Sequence, residues 1–367
     1  MTKIRHVLGI SGGKDSAALA IYMKLKYPEL PIEYYNADTG KELKETYDLL
    51  SKLEGFLGHI EPLRAAKGTT EATPFDHFLK LYNNFLPSIQ ARWCTEKMKL
   101  SEFETYVGKD LAISYVGIRG DEEREGYVST RTNIQTIFPF RRNIWSLDVI
   151  NKVLGNENIS FLLKFYRQNA KNTNIEDILE IIERPLTKAF YYSKKINALL
   201  DFDVKLFNRA VFEFLKTTDY PIGKLDSFPL IENDDVIGLA DVKKILIDSN
   251  VGIPAYYNEI EFEVDGRKGT YARSRSGCFF CFYQQKIEWI WLYEQHPDLF
   301  KQAMEYEKSG YTWNDNERLS DLIKSERVKQ IKIDYLNRLE LKQKKFKSNF
   351  LIDILEEDKV NCANCFL

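Results

Sequence analysis

What the chain lacks is informative first. No apolar run in its 367 residues approaches the ~20 residues of a membrane span, so no spanning helix and no membrane partner is expected. Cysteine is scarce and odd in number, at five. That count excludes a disulfide framework and points to thiol or metal chemistry. Charge of one sign is also missing, because the net charge is only −2. Any contact with nucleic acid must therefore rest on local basic patches. Low-complexity and collagen-like segments are absent as well. With 44% hydrophobic and 29% charged residues, the chain falls among ordinary folded proteins, long enough for about two domains. Met1 to His6 runs straight into a strand pattern and leaves no room for a signal peptide, so a cytoplasmic location is expected.

What is present is organised around Gly9-Ile10-Ser11-Gly12-Gly13-Lys14-Asp15-Ser16. Residues 6–10 read as a short buried strand. Ala18, Ile21, Tyr22 and Leu25 then recur at helical spacing, with Asp15 or Ser16 as the expected N-cap. A strand, a tight glycine turn and a helix start gather free backbone N–H groups and the helix dipole at one point, which is an anion site. Gly12 and Gly13 allow close backbone approach to a phosphate, and Lys14 adds a positive charge. The Walker A pattern does not fit: Asp15 follows the lysine in place of Ser or Thr, and Gly9 and Gly13 stand one residue too close. Ser-Gly-Gly-Lys-Asp-Ser instead resembles the PP-loop of the ATP pyrophosphatases. That resemblance implies ATP with Mg²⁺, cleavage between the α- and β-phosphates, and pyrophosphate held by Ser11, Gly12, Gly13, Lys14, Asp15 and Ser16.

Further along, residues 32–38 read as a second strand ending in Asp38-Thr39-Gly40. In a doubly wound α/β sheet, ligands sit at the carboxyl ends of strands. Asp38 is thus either a nucleoside contact or an ordinary turn aspartate. Helices are expected over 43–56 and 74–85, a weak strand over 58–63, and a clear strand over 111–119 ending in Gly117-Ile118-Arg119. Cys94 lies among Arg92, Lys97 and Lys99, a setting expected to favour the reactive thiolate, though cysteine is also commonly a buried apolar residue.

The PP-loop, Asp38-Thr39-Gly40, Arg92-Trp93-Cys94, Gly117-Ile118-Arg119 and the run 143–149 after Pro139 together resemble the phosphoadenosine phosphosulfate reductase family and the related DndC and SspD proteins of DNA phosphorothioation. The resemblance implies an α/β fold with a doubly wound, mostly parallel sheet. It also implies an ATP pyrophosphatase active in sulfur transfer, with Lys14, Asp15 and Cys94 as catalytic residues. Nucleotide contacts from Asp38, Thr39, Gly40 and Arg119 follow from the same likeness. The implied target is nucleic acid, DNA foremost, in a DNA modification of phage defence. A cysteine desulfurase would supply the sulfur, because nothing here resembles a pyridoxal phosphate site, and other phosphorothioation proteins are implied as partners. An adenylyl-sulfate reductase, a tRNA thiolation enzyme and a non-catalytic metal-stabilised adaptor are the alternatives. The tail departs from the Glu-Cys-Gly motif of the reductases.

Three domains are expected: a nucleotide-binding unit over 1–145, a mainly helical insertion over 146–264, and a helical C-terminal region over 265–367. Within the insertion, helices are expected over 175–183, 186–200 and 204–215. The last region carries Cys278-Phe279-Phe280-Cys281, a knuckle that lets two thiolates grip one metal, and ends in a second pair, Cys362 and Cys365. Four of the five cysteines suffice for a 4Fe–4S cluster or Zn²⁺. The resemblance to iron–sulfur members of the reductase family favours iron and implies Cys94 as an alternative ligand, and a spare cysteine could carry a persulfide. Nine Lys and Arg against three acids over 324–347 form either a solvated helix face or a phosphate contact.

Overall fold

A computed structural model describes residues 4–122, 124, 129–171, 175–314 and 317–346. Its centre is a five-stranded, all-parallel sheet in the order β3-β2-β1-β4-β5. The strands are β1 (Ile4–Gly9), β2 (Ile32–Ala37), β3 (Ile60–Leu63), β4 (Leu111–Tyr115) and β5 (Ile134–Ile137). Val7, Leu8 and Ile113 are completely buried, as expected of strands covered by helices on both faces. After β1 the chain adds β2 and β3 on one side, then returns to lay β4 on the other. The switch point between β1 and β4 is where a doubly wound sheet opens a crevice for ligand. The expected α/β doubly wound fold is therefore present.

Helix α1 (Lys14–Lys26) differs from the expected one-sided amphipath, because every residue from Asp15 to Met23 is buried. It lies between the sheet and the helix Leu239–Asp248, so both faces are covered, and only its C-terminal turn reaches solvent, with Leu25 exposed. Its N-cap is Gly13, with no side-chain cap. Asp15 and Ser16 fall inside the first turn instead, where their side chains serve the loop. Helix α2 (Lys44–Leu57) follows the forecast closely. Helix α3 (Pro74–Leu81) ends four residues early, because Asn83 and Asn84 turn the chain through positive φ.

The second half is helical up to Asp248, with helices Leu147–Val153, Ile159–Asn169, Ile175–Glu183, Tyr192–Phe202, Val204–Leu215 and Leu239–Asp248. The helix expected over 186–200 starts late, because Thr187 and Phe190 close a turn just before it (N···O 2.9 Å). Strands β6 (Ile260–Val264) and β7 (Arg267–Tyr271) then form an antiparallel hairpin. Its two-residue turn is Asp265-Gly266, both at positive φ, the arrangement that matches strand twist. The helices Lys286–Gln295, Pro297–Glu305 and Ser325–Phe346 complete the described chain. No described helix is long and apolar enough to cross a membrane.

Two large apolar clusters hold these parts. One joins α1 and the sheet to the helices between Leu147 and Leu246. The other joins Leu43, Phe75, Leu79, Trp93 and Met98 to residues between Tyr256 and Leu336.

Candidate functional site

The loop after β1 is fixed from within and from β2. Ser16 Oγ accepts from Ser11 N (3.1 Å), donates to Gly13 O (3.3 Å) and meets Ser11 Oγ (3.1 Å). Asn36 Nδ2 donates to Ile10 O at 2.6 Å. Gly12 holds φ +76°, and a Cβ there would lie 2.3 Å from Thr46 Cγ2 of α2. A Cβ at Gly13 would lie 2.7 Å from Ser276 Oγ. Gly12 is thus required by its backbone conformation and a close neighbour, while Gly13 stands tight against a serine hydroxyl that can turn away.

Charge is concentrated at the switch point. Asp15 takes Lys14 Nζ on one carboxylate oxygen (3.0 Å) and Arg119 Nη1 on the other (2.8 Å). Arg119, just beyond β4, also meets Asp121 (2.8 Å) and Glu122 (3.1 Å), and its side chain is only 13% exposed. Sequence reading placed Lys14, Asp15 and Arg119 at one nucleotide site, and the fold brings them into contact. With both Asp15 oxygens engaged, no open carboxylate waits for Mg²⁺ at this point. The described residues do not fit a protein-held Mg²⁺ site here.

Sequence reading missed what covers the loop. Tyr256 Oη donates to Gly12 O at 2.8 Å. The Tyr257 phenol meets the Lys14 main chain, and Lys14 Nζ stands 4.7 Å from the centre of its ring. Ser276 presses on Gly13, while Ser274 is anchored through N and Oγ to Glu288 Oε1 (2.7 and 2.8 Å). Arg273 in the same segment is 3% exposed. It donates to Cys278 O (3.2 Å) and lies 6.0 Å from the ring centre of Trp291, while its Nε and Nη1 have no hydrogen-bond partner among the described residues. Tyrosines at 256–257 carried no motif, but the serines and arginines before Cys278 were a visible signal.

At the end of β2, Asp38 Oδ1 accepts from Gly40 N (2.8 Å) and Tyr47 Oη (3.0 Å), so it organises the turn. Thr39 Oγ1 donates to Glu42 Oε2 (2.7 Å) and lies 3.1 Å from Cys278 Sγ. The first C-x-x-C is thus docked on Asp38-Thr39-Gly40, tied also by Phe279 N to Lys41 O at 2.9 Å. Burial pushes the Glu42 carboxyl up, with Lys99 opposing.

Cys94, Cys278 and Cys281 share one electrostatic neighbourhood: Cys281 acts on both of the others, and so does Lys99. The expected thiolate at Cys94 is corrected. Burial pushes its thiol up to about 12, Cys281 adds to the shift, and Lys99 offsets only part of it. Lys97 is paired with Glu96 (2.7 Å), and Arg92 donates to Ile89 O (3.2 Å). Desolvation of the sulfur outweighs the nearby charge. Burial likewise raises Cys278 and Cys281. Cys281 N donates to Cys278 O at 3.1 Å, so the pair shares one tight turn. Among the described residues no group of three or more His, Cys, Asp or Glu stands at metal-ligating spacing. The described thiols therefore do not by themselves fit a 4Fe–4S cluster or zinc. Cys362 and Cys365 lie outside the described residues.

The basic helix Ser325–Phe346 is largely neutralised where its side chains are described. Arg327 pairs with Glu317 (2.6 Å), Lys329 with Asp265 (2.7 Å) and Lys332 with Glu294 (2.6 Å).

No curated protein and no solved structure matches the chain. Residues 5–168 do match the family model described as the phosphoadenosine phosphosulfate reductase domain. The match opens in β1, takes in all five parallel strands, the loop, Asp38 to Gly40, Cys94 and Arg119, and ends in the helix Ile159–Asn169. It stops short of the segment that covers the loop and of the cysteine knuckle. Over residues 5–168 the chain is thus similar to the phosphoadenosine phosphosulfate reductase domain.

Proposed function

We propose that the protein is an ATP pyrophosphatase that adenylates a nucleic-acid target, a DNA backbone phosphate foremost, for sulfur incorporation. The observation that carries this reading is the Lys14–Asp15–Arg119 cluster at the switch point of the region that matches the reductase domain. ATP would lie with its phosphates on the loop and its nucleoside toward Asp38-Thr39-Gly40. A target oxygen attacks the α-phosphorus and the bridging α–β P–O bond breaks. Pyrophosphate leaves with that electron pair toward Lys14 and the N-terminus of α1, whose fixed donors match the developing charge. The outer sulfur of a persulfide supplied by a cysteine desulfurase then attacks the activated phosphorus, and AMP departs. A second thiol attacks the inner sulfur of the resulting P–S–S–Cys adduct, which frees the phosphorothioate and leaves a disulfide that an external dithiol must reduce. Cys94 is the thiol we assign to relay that sulfur, and its buried sulfur would have to ionise on target binding to do so. A 4Fe–4S cluster or zinc on Cys278 and Cys281 would need Cys362 and Cys365, and no step above uses one. Other phosphorothioation proteins are the expected partners.

The test is ATP labelled at the α-phosphorus, incubated with target nucleic acid and resolved by chromatography. AMP and pyrophosphate are expected, and Lys14→Ala should abolish turnover with an unchanged circular-dichroism spectrum. ADP and phosphate would overturn the reading. Phosphorothioate linkages, measured by mass spectrometry of digested DNA, should disappear from cells lacking the gene. A reductase would instead release sulfite from an adenylyl sulfate.

A further inference from the structure

Helix α1 starts without a side-chain cap, and its first internal bond runs from Ala17 N to Gly13 O (3.2 Å). The main-chain N–H groups of Lys14, Asp15 and Ser16 precede that bond and have no acceptor within the helix. They are the donors that a phosphate at this end would take. One of them already faces a protein group. The Lys14 N–H points to Tyr257 Oη, and burial holds that phenol protonated and neutral. The same oxygen stands 3.4 Å from the place a Cβ would hold on Gly13, and Lys14 Nζ lies 4.7 Å from the centre of the Tyr257 ring. A single phenol therefore meets three parts of the cradle: an N–H donor, the close-approach glycine and the ammonium. Its neighbour Tyr256 is held differently. Tyr256 is 1% exposed and donates to Gly12 O (2.8 Å), a carbonyl that no anion seeks. The two rings lie 4.5 Å apart. Tyr257 is only half-buried, so its side chain can turn outward while Tyr256 keeps the segment anchored.

We infer that the Tyr257 phenol oxygen stands in the place of a pyrophosphate oxygen, and that pyrophosphate binds only when this side chain swings out. The inference rests on the loop being the pyrophosphate cradle proposed above. A ligand that needs a place held by a protein group binds with an apparent affinity reduced by the fraction of molecules in which the place is open. Tyr257 thus sets the affinity for the pyrophosphate half of ATP. By returning to Lys14 N–H and Gly13 once the α–β bond is broken, it also favours release of pyrophosphate. AMP has no phosphate beyond the α position and makes no demand on Tyr257. A phenol that accepts from the loop competes with the anion, whereas one that donated to a bound phosphate would assist it. Removing the oxygen therefore moves affinity in opposite directions under the two roles.

The test is isothermal titration calorimetry of the full-length protein, with pyrophosphate and separately with AMP. Tyr257→Phe keeps the ring beside Lys14 and removes only the oxygen. It should bind pyrophosphate about fivefold more tightly than the wild type, the scale of one competing hydrogen bond, with AMP affinity unchanged. In the wild type, pyrophosphate should raise nitration of Tyr257 by tetranitromethane, read by mass spectrometry, because the released ring enters solvent. Weaker pyrophosphate binding by Tyr257→Phe, with nitration suppressed by pyrophosphate, would make the phenol a ligand contact and overturn the inference. Equal affinities would put Tyr257 Oη outside the cradle and overturn it too, while the pyrophosphate site stands. If neither the wild type nor Tyr257→Phe binds pyrophosphate, the loop is not its cradle, and the inference falls with the reading beneath it.

Discussion

At the scale of single residues, the loop shows how much of a site can be dictated by its neighbours. Gly12 meets two separate demands: φ +76°, which a side chain resists, and a Cβ position 2.3 Å from Thr46 Cγ2. Backbone strain of this type costs about 1–3 kcal/mol before the collision is counted. Gly12→Ala should therefore lower the urea midpoint sharply. Gly13→Ala, at ordinary φ and against a serine hydroxyl that can rotate away, should cost far less stability. Equal midpoints for the two variants would show that Thr46 yields. The glycines, Lys14 and Asp15 were legible in sequence because a phosphate loop is local, all its parts within eight residues. The state of Cys94 was not legible. Three nearby cations suggested a thiolate, but one of them is paired with Glu96, another turns to a carbonyl, and burial decides the outcome. Which neighbour acts on a sulfur depends on packing, and packing is absent from a one-dimensional reading.

At the scale of elements, β1 joins the loop to the core through a buried histidine. His6 is 5% exposed, and its Nδ1 meets Tyr115 Oη of β4 at 2.7 Å. Burial lowers its pKa from 6.5 to about 4, with Glu33 opposing. The folded state therefore keeps a neutral imidazole where the unfolded chain takes up a proton. This contribution is fully present above pH 6.5 and is lost as the pH falls toward 4. Between pH 7 and pH 5 the loss should reach about 2 kcal/mol. Urea unfolding at the two pH values should show it, and His6→Gln should remove most of the difference; an unchanged difference would place the titration elsewhere. Strands β1, β2 and β4 were readable from apolar runs of the kind a buried parallel sheet requires. Strand β5 was not, because Gln135 and Thr136 interrupt the pattern. Gln135 is buried because its Oε1 accepts from Ile222 N (3.0 Å), a partner 87 residues away. The β6–β7 hairpin was overlooked despite its Asp-Gly turn, since charged residues between and beside the strands mask the alternation.

At the scale of the whole molecule, the second apolar cluster has a consequence for how the site is built. It draws Leu43, Phe75, Leu79, Trp93 and Met98 from the first hundred residues, and Tyr256, Phe280, Trp289 and Trp313 from the last third. Phe75 and Phe280 have ring centres 4.5 Å apart, and Phe280 stacks on Trp313 at 4.8 Å. The same third of the chain supplies the Tyr256 bond to Gly12 and the Ser276 contact on Gly13. Covering the loop and completing the core are thus one structural event. A chain cut after residue 253 would keep the whole of residues 5–168 and every parallel strand, yet it would expose those five early side chains to water. At roughly 1.5–3 kcal/mol for each buried large side chain, the loss is about 10 kcal/mol. That matches the entire net stability of a typical domain. The truncated protein should therefore elute as aggregate in size-exclusion chromatography, bind a hydrophobic dye strongly and retain no ATP. A monomeric, sharply unfolding fragment that binds ATP like the full chain would show instead that the region matching the reductase domain stands alone. The C-terminal third would then be an addition to a finished site, not a wall of it.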